Sequence, residues 1–425
     1  MKNLISNKKN ILIIGGGFAG MQLSRHLDES FFNITLLDKI NHHQFQPLFY
    51  QVATSQIEPS SISFPFRNAF KNKNHIQIRM AEVSEIDHQK QSVQTNIGEF
   101  KYDYLVIAIG CKTNFFGNSS IQKHAFTLKS TYDAIEIRNH ILLTFERIIS
   151  SCGAEREALL NLVIVGAGPT GVELAGAFAE IKQNILPNDY HGIDFSEFKI
   201  ILIEGSSNTL NSMSENARKA SRKYLQSMNV DILTETFVKD YDGNSLVLSN
   251  GNVIITKTVI WAAGVTGNTI IGLPHASLVA GNRIKVNRIN AVEGINNVFA
   301  IGDIAYMSTP LYPNAHPQLA NVAINQAKLL AKNLPRMMKN KPTKPYEYKN
   351  LGSMATIGRN KAVVDLPFFR FKGYFAWVIW MFLHLMLILS VKNKLIIFIH
   401  WAWAYISKDS SLRLILKSSN EKNNN

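Results

Sequence analysis

Cysteine is scarce in this sequence: Cys111 and Cys152 are the only two among 425 residues. Because they are far apart in sequence, they form neither a C-x-x-C pair nor the spacing of metal ligands. This scarcity argues against a disulfide framework, a dithiol redox centre and a structural metal site. It is typical of a protein in a reducing, cytosolic setting.

Acidic residues are also scarce in the C-terminal part. From Tyr306 onward the sequence has 17 Lys and Arg against 4 Asp and Glu, whereas the preceding part has 28 against 27. A nearly neutral body with a basic C-terminal part predicts an anionic partner for that part. At this point both phospholipid and nucleic acid satisfy the prediction.

The sequence has little apolar stretch of the length that a membrane-spanning helix needs. Residues 374–391, YFAWVIWMFLHLMLILSV, only reach the threshold, and the next run, LIIFIHWAWAYI, is too short to return. We therefore expect attachment to a membrane surface, with a buried helix in a core or dimer interface as the alternative. The residues expected at the lipid headgroups are Trp377, Trp380, Trp401, Trp403, Tyr405, Lys392, Lys394, Lys408, Arg413 and Lys417.

Both ends of the given sequence are polar. The polar start MKNLISNKKN leads us to expect no secretory signal. The tail SSNEKNNN has the composition of a disordered segment.

Two βαβ patterns organise the remainder. The apolar run 10–14 ends in GGGFAG and is followed by a helical pattern and a strand that ends at Asp38. The run NLVIV leads into GAGPTGVELAG, and the strand KIILIE ends at Glu204. This order predicts an α/β fold with two Rossmann-like dinucleotide-binding domains. We also predict helices over 130–149 and 317–334.

The first Gly-rich loop has the spacing G-x-G-x-x-G. Gly15 allows the tight turn, Gly17 lets a pyrophosphate approach the backbone, and Gly20 lets helix and strand pack closely. Asp38, 18 residues after Gly20, stands where a carboxylate binds ribose hydroxyls. A Gly-rich turn without a ligand is the alternative interpretation.

The second loop repeats this spacing with Gly166, Gly168 and Gly171. Glu204 follows Gly171 by 33 residues, and an insertion over 184–197 accounts for the excess. An acid without a nearby Arg favours NADH over NADPH. Glu173, on the first helical turn, has two interpretations: it stabilises the helix dipole, or it acts near the nicotinamide.

Five motifs together resemble the type II NADH:quinone oxidoreductases, which are single-chain, non-pumping NADH dehydrogenases. They are GGGFAG, NHHQFQPLFYQVAT, GAGPTGVELAG, VIWAAGV and NVFAIGDIA, and the resemblance extends from Asn10 to Leu416. It implies FAD on the first fold and NADH on the second. It further implies hydride transfer from NADH to FAD and transfer of two electrons to a membrane quinone without proton pumping.

The resemblance also implies a set of site residues. Asp303 would bind the ribityl chain of FAD. Separately from the resemblance, its position after the second Gly-rich loop makes Glu173 our candidate catalytic residue. Ala320, Asn321 and Asn325 match the family's Ala-Gln-x-x-x-Gln quinone motif, with both glutamines replaced by asparagine. The implied cofactor-binding residues are Gly15, Gly17, Phe18, Ala19, Gly20, Asp38, Lys39, Val83, Ala108, Gly110, Gly302 and Asp303 for FAD, and Gly166, Gly168, Pro169, Thr170, Gly171, Glu204 and Gly264 for NADH.

The expected domains are an FAD-binding domain over 1–114 and 266–338, an inserted NADH-binding domain over 115–265, and a membrane-associated region over 339–425. We expect monotopic attachment to the cytoplasmic face of a bacterial inner membrane, no nucleic-acid binding, and a homodimer as one option. Three other functions are retained: an NADH-dependent flavin reductase with a protein acceptor, a sulfide:quinone reductase-like enzyme, and a redox-sensing or nucleic-acid-binding flavoprotein.

Overall fold

The computed structural model describes residues 8–409 and 412–415. The predictions for the tail SSNEKNNN and for Lys417 lie outside these residues. The chain forms two compact units. The first unit contains the residues up to Gln44, Phe64–Lys112 and Val265–Lys349, and the second contains Phe45–Ser63, Thr113–Gly264 and the residues from Asn350 onward.

Most strands are short, with three to six residues each. They are β1 (Lys9–Ile14), β2 (Phe32–Asp38), β3 (His42–Gln44), β4 (Ser63–Pro65), β5 (Ile76–Met80), β6 (Val83–Asp87), β7 (Ser92–Thr95), β8 (Gly98–Lys101), β9 (Tyr104–Ile107), β10 (Cys111–Thr113), β11 (Asn161–Val165), β12 (Lys199–Ile203), β13 (Val230–Leu233), β14 (Val238–Tyr241), β15 (Ser245–Leu248), β16 (Val253–Ile255), β17 (Thr258–Trp261), β18 (Val265–Gly267), β19 (Leu278–Val279), β20 (Arg283–Lys285), β21 (Val298–Ala300), β22 (Ala305–Tyr306), β23 (Ser353–Gly358), β24 (Lys361–Asp365) and β25 (Arg370–Lys372).

The α-helices range from a single turn to 19 residues. They are α1 (Phe18–His26), α2 (Phe49–Ala53), α3 (Phe66–Ala69), α4 (Ser119–His124), α5 (Thr131–Ile148), α6 (Gly153–Leu159), α7 (Pro169–Asn184), α8 (Leu186–Asp189), α9 (Glu215–Ser227), α10 (Ala320–Met338), α11 (Tyr374–Leu387) and α12 (Val391–Ser407). Short 3-10 turns cover Gln46–Leu48, Pro59–Ser61, His275–Ser277 and Gly302–Ile304.

The first unit is built on a sheet with the strand order β21-β9-β1-β2-β5. Every neighbouring pair in it is parallel. The strands β1 and β9 are almost entirely buried, as expected for parallel strands that carry continuous apolar runs. This sheet confirms the first predicted βαβ unit. Because the strands are parallel, their carboxyl ends meet at one edge of the sheet.

The second unit contains a parallel sheet with the order β13-β12-β11-β17. The strand β11 is buried at every residue, which confirms the second βαβ unit. The predicted insertion over 184–197 contains the short helix α8. Two antiparallel sheets, β14-β15-β16 and β23-β24-β25, complete this unit.

The two predicted long helices are present with shifted ends. The helix α5 begins at Thr131, and the Ser130 side chain caps it by accepting from the Asp133 N–H at 3.0 Å. The helix α10 begins at Ala320, three residues later than predicted, and continues to Met338. The preceding segment is non-helical, and Gln318 Nε2 there donates to the Asp303 carbonyl at 3.1 Å.

The C-terminal apolar segment is divided differently from the prediction. Residues 374–391 contain all of α11 and only the first residue of α12, and the break lies at Ile388–Ser390. Within residues 8–409 and 412–415, no helix is long and apolar enough to cross a membrane. Trp380 and Trp401 are 1% and 7% exposed, so their predicted place at lipid headgroups is wrong. Both rings pack into the interior of the second unit because they cover a buried acid and amide there.

Candidate functional site

The first Gly-rich loop has the geometry that its spacing predicts. Gly15 has φ +99°, and a side chain there would lie 2.5 Å from the Ala108 carbonyl oxygen. A Cβ at Gly20 would lie 1.8 Å from the Gly15 carbonyl oxygen. At Gly17, by contrast, no described atom lies within 4 Å of such a Cβ. The loop is therefore closed against the protein at two glycines and open at the third.

Asp38 ends β2 and faces this loop. Its Oδ2 accepts from the Gly16 N–H at 2.6 Å, and its Oδ1 accepts from the Ile40 N–H at 2.9 Å. Burial raises the pKa of Asp38, while these two N–H groups oppose that shift. The carboxylate is thus held rigidly at the loop, where an acid can bind ribose hydroxyls.

The other predicted flavin residues gather at the same edge of the sheet. The Ala108 N–H donates to the Ile14 carbonyl at 2.8 Å, which puts the end of β9 beside the end of β1. Val83 lies two residues after Ala81, whose N–H donates to the Asp38 carbonyl at 2.8 Å. Phe18 and Ala19 are in the first turn of α1, Lys39 is exposed, and Gly110 follows β9 with φ +66°.

Gly302 and Asp303 follow β21 at this edge. The Gly302 N–H donates to Gln326 Oε1 at 2.7 Å, and Cys111 Sγ donates to Asp303 Oδ2 at 3.3 Å. Gln326 is 1% exposed and was not identified from the sequence. Its signal was an amide among the mostly apolar residues that α10 buries. It fixes the turn that presents Asp303.

Asn321 and Asn325 lie one turn apart near the start of α10. Asn325 Nδ2 donates to Asn321 Oδ1 at 2.8 Å. The pair leaves the Asn321 NH₂ group and the Asn325 Oδ1 for other partners. Gly302 is adjacent to this helix, since a Cβ there would lie 3.3 Å from the Ala323 Cβ.

The second loop repeats the first in detail. Gly166 has φ +102°, and a Cβ at Gly171 would lie 1.9 Å from the Gly166 carbonyl oxygen. At Gly168 the space within 4 Å holds no atom of the described chain. Glu204 Oε2 accepts from the Ala167 N–H at 2.6 Å, as Asp38 does from Gly16. Pro169 and Thr170 open α7, and Gly264 follows β17 with φ +111°.

Both loops therefore fit a dinucleotide. A pyrophosphate needs bare backbone at the helix N-terminus, and Gly17 and Gly168 are the N-cap residues of α1 and α7. Each loop also has a carboxylate fixed by its own N–H groups at the ribose position. Two such sites in one chain fit FAD and NADH.

A cavity of about 820 Å³, including solvent at its mouth, lies within the second unit. One wall is the helix α7, and the others come from α2, β23, α11 and α12. Its lining is rich in aromatic rings and contains three carboxyl groups, those of Glu173, Glu180 and Asp409. Its main aromatic and ionisable residues are Tyr50, Glu173, Glu180, Arg359, Trp377, Trp380, Trp401, Tyr405, Lys408 and Asp409.

Glu173 is a buried acid on this wall, 9% exposed. Burial raises the pKa of Glu173 to about 8, against the opposing effects of the Thr356 N–H and the Trp380 indole. The Thr356 N–H donates to Glu173 Oε1 at 3.4 Å. The acid is therefore protonated at neutral pH, which a helix-dipole role would not require.

A hydrogen-bonded chain of side chains lies beside it. Trp401 Nε1 donates to Gln51 Oε1 at 2.8 Å, and Gln51 Nε2 donates to Tyr50 Oη at 2.9 Å. Burial and the Glu173 carboxyl raise the pKa of Tyr50 well above its usual value. Tyr50 consequently remains a neutral phenol. Tyr50 and Gln51 belong to the motif NHHQFQPLFYQVAT.

Two family models match the chain. Pyridine nucleotide-disulphide oxidoreductase matches residues 9–327, and the NDH2 C-terminal domain matches residues 350–414. The type II NADH:quinone oxidoreductase Ndh of Mycobacterium tuberculosis is 32% identical over 416 residues, covering 94% of this chain and 89% of that protein. The type II NADH:quinone oxidoreductase of Staphylococcus aureus is 26% identical, covering 85% and 90%.

Solved structures share the fold. NDH2 from Plasmodium falciparum in complex with NADH superposes with a TM-score of 0.87 at 23% identity, covering 96% of this chain and 100% of that one. The sulfide:quinone oxidoreductase of Aquifex aeolicus superposes at 0.71 with 19% identity. Together with the two nucleotide loops, the family matches decide the class. This chain belongs to the type II NADH:quinone oxidoreductases, which transfer electrons from NADH through FAD to a quinone.

Proposed function

We propose that Glu173 holds the proton that quinone reduction consumes in this enzyme. The observation that carries the proposal is a buried acid with a pKa of about 8 on the wall of an aromatic cavity. A donor with a pKa near the working pH combines correct protonation with ready transfer. We thereby assign Glu173 to the quinone half of the reaction and not to the nicotinamide side.

The proton count supports a dedicated acid. Oxidation of NADH supplies a hydride, which is two electrons and one proton, whereas reduction of a quinone to a quinol requires two electrons and two protons. One proton per turnover must therefore come from solvent. FAD, when bound, supplies the capacity to accept the hydride and release two electrons to the quinone. The protein must supply the remaining proton.

The cofactor-binding roles are proposals for each unit separately. In the first, the loop with Gly15, Gly17 and Gly20 would hold the FAD pyrophosphate, and Asp38 and Asp303 would bind its ribose and ribityl hydroxyls. In the second, Gly166, Gly168 and Gly171 would hold NADH, with Glu204 on the ribose. A phosphate on that ribose would meet the Glu204 carboxylate, so NADPH should bind more weakly.

The quinone contacts in the first unit are proposed for Ala320, Asn321 and Asn325. The free NH₂ group of Asn321 is suited to donate to a quinone carbonyl, and the mutual bond between the two amides fixes its direction. Asparagine is shorter than glutamine by one methylene, so this site would leave more room than a pair of glutamines.

The domain limits and the setting are proposals as well. We assign 1–114 and 266–338 to the FAD-binding domain, 115–265 to the NADH-binding domain and 339–425 to a membrane-associated region. The cytoplasmic face of a bacterial inner membrane is the proposed location, because NADH is supplied from the cytosol. A homodimer remains part of this proposal.

The first test separates the two half-reactions. Adding NADH anaerobically to the FAD-loaded protein should bleach the flavin absorbance, and adding a soluble quinone should restore it. The rate with NADPH should be lower, on the order of tenfold or more, because of Glu204. Bleaching without recovery would leave the nucleotide sites in place but contradict the quinone acceptor. An NADPH rate equal to the NADH rate would contradict the role of Glu204.

Membrane attachment is supported by the outer faces of α11 and α12. Large apolar side chains are exposed on both helices, including Phe375 at 74% and Ile399 at 63%. An exposed apolar surface of this kind, next to Lys392 and Lys394, suits the headgroup region of an anionic membrane. The other exposed apolar residues there are Tyr374, Val378, Ile379, Phe382, Leu383, Met386, Leu387, Val391, Leu395, Phe398, Trp403, Tyr405 and Ile406.

Charge placed on that surface should release the protein from lipid. In the double variant Phe382→Asp with Phe398→Asp, both positions are more than half exposed, so folding should be retained while sedimentation with anionic liposomes is lost. Leu311→Asp, at a 70% exposed position in the first unit, is the matched control. Undiminished sedimentation of the double variant would contradict attachment through α11 and α12. Truncation from Pro367 is less informative, because it also removes the cavity walls.

A further inference from the structure

Two acids lie on the same face of α7. Glu173 and Glu180 are seven residues apart, which is close to two full turns and about 10 Å along the helix. Both line the cavity, and so do Ala177 between them and Asn184 one turn beyond. The cavity therefore follows the helix from Glu173 past Glu180.

The strand β23 runs along the same path. The Thr356 N–H donates to Glu173 Oε1, and the Arg359 N–H donates to Glu180 Oε1. Three residues of strand span about 10 Å, which matches the rise between the two acids on the helix. Each carboxyl is thus fixed through one oxygen by the backbone of the C-terminal region. A carboxyl that accepts a backbone N–H at Oε1 can carry its proton on Oε2.

The space between the carboxyls suits water. Ala177 lies between the two acids on α7 and has only a methyl side chain. A larger side chain there would fill the space between the two carboxyl groups. The space open to the centres of water molecules is about 110 Å³, several times the roughly 10–15 Å³ that one bound water requires. At the far end the lining residues Asn184, Lys408 and Asp409 are exposed. The cavity consequently connects a buried acid to solvent.

The charges around Glu180 allow it to gain and lose a proton. Burial raises the pKa of Glu180, while the Arg359 N–H and the charges of Arg359 and Lys361 oppose that shift. Arg359 is itself held in place, since its Nη2 donates to the Ala404 carbonyl at 2.7 Å and its guanidinium carbon lies 5.2 Å from the Tyr405 ring centre. The other ionisable groups lining the cavity are Tyr50, Glu173, Tyr405, Lys408 and Asp409.

We propose that Glu180 is a proton-relay residue that returns a proton from solvent to Glu173 through water in this cavity. The step balances: Glu173 gives one proton to the reduced quinone, Glu180 restores it, and solvent at the mouth restores Glu180. No electrons move in the relay. The inference rests on the proposed role of Glu173 and adds the route by which that acid is reprotonated.

The test is Glu180→Gln in the FAD-loaded enzyme. Flavin bleaching by NADH should remain within twofold of the wild type, because this step takes no proton from solvent. Quinone turnover should fall on the order of tenfold, more steeply as pH rises. Glu180→Asp, which keeps a carboxyl group, should recover part of the rate, and added formate should recover part of the Glu180→Gln rate by entering the cavity. Glu157→Gln, at an exposed acid outside the cavity, is the control.

The possible outcomes distinguish a failure of the Glu180 relay from a failure of the proposed quinone reduction. If the wild type does not reduce quinone, the proposed function fails before the relay is tested. If the wild type reduces quinone and Glu180→Gln does so equally fast at every pH, the relay is overturned. A slow variant that neither the carboxyl of Glu180→Asp nor formate improves would assign Glu180 to holding Arg359 instead. If Glu180→Gln does not fold, Glu180→Asp decides, because its shorter side chain lengthens the path to Glu173 and should slow quinone turnover. A quinone rate and pH profile equal to those of the wild type would then overturn the relay.

Discussion

Glu173→Gln is expected to lower quinone turnover on the order of 100-fold while leaving the rate of flavin bleaching by NADH nearly unchanged. Glutamine keeps the size of the side chain and can still accept from the Thr356 N–H, but it has no proton to release. In the wild type the acid form is present below its pKa of about 8. The quinone rate should therefore decline as pH rises through about 8, and the variant should lose that decline. Stopped-flow absorbance and steady-state assays over pH 6–10 measure both.

Three results would have distinct meanings. Slower bleaching with normal reoxidation would place Glu173 at the nicotinamide, as the second interpretation of the sequence has it. Unchanged rates in both half-reactions would leave only a structural role. A loss of the folded state, checked by thermal unfolding beside Glu157→Gln, would show that the variant reports on packing and not on proton transfer.

The second large effect is expected at the first nucleotide loop, where Gly17→Ala and Gly20→Ala should fail in different ways. A Cβ at Gly20 would overlap the Gly15 carbonyl, so Gly20→Ala should destabilise the folded protein by about 3 kcal/mol or more. Gly17→Ala adds its methyl to open space, so the protein without FAD should unfold at the wild-type temperature. Its FAD affinity should fall tenfold or more, because the methyl occupies the place of the pyrophosphate.

Thermal unfolding and the ratio of flavin to protein absorbance distinguish these two failures. Gly192→Ala is the matched control, because among the described residues nothing lies within 4 Å of its Cβ and its φ is not in the left-handed region. Full FAD content in Gly17→Ala would refute the approach of the pyrophosphate at this glycine. Wild-type stability in Gly20→Ala would refute the close helix–strand packing.

The geometry of the two Gly-rich loops could be predicted because each loop is encoded locally. Gly15 to Asp38 and Gly166 to Glu204 are single βαβ units, so strand, loop, helix and acid follow one another in sequence. The spacing of their glycines matches the close contacts of Gly20 with Gly15 and of Gly171 with Gly166. The helix limits were less accurate, since Gln318 bonds to the Asp303 carbonyl and α10 starts only after it.

The cavity could not be predicted, because its walls come from three distant segments. Trp401 and Gln51 are 350 residues apart yet share a hydrogen bond. From the sequence, Trp380 and Trp401 are aromatic residues in an apolar, basic region, and this pattern favoured lipid headgroups for both. Only the fold shows that these two rings turn inward while neighbours such as Trp403, 61% exposed, face outward. Gln326 was missed for the same reason: its partner, the Gly302 N–H, is 24 residues away.

The close contact between α7 and β23 constrains which residue can occupy position 176. A Cβ at Gly176 would lie 1.7 Å from the Ile357 carbonyl oxygen, so this glycine is required by the C-terminal region and not by a nucleotide. In a chain of this fold without the C-terminal strand, the Ile357 carbonyl would be absent and the position should tolerate a side chain. We therefore expect glycine there to accompany the C-terminal region through evolution. Glycine at position 176 would then indicate that a sequence of this fold also carries the C-terminal region.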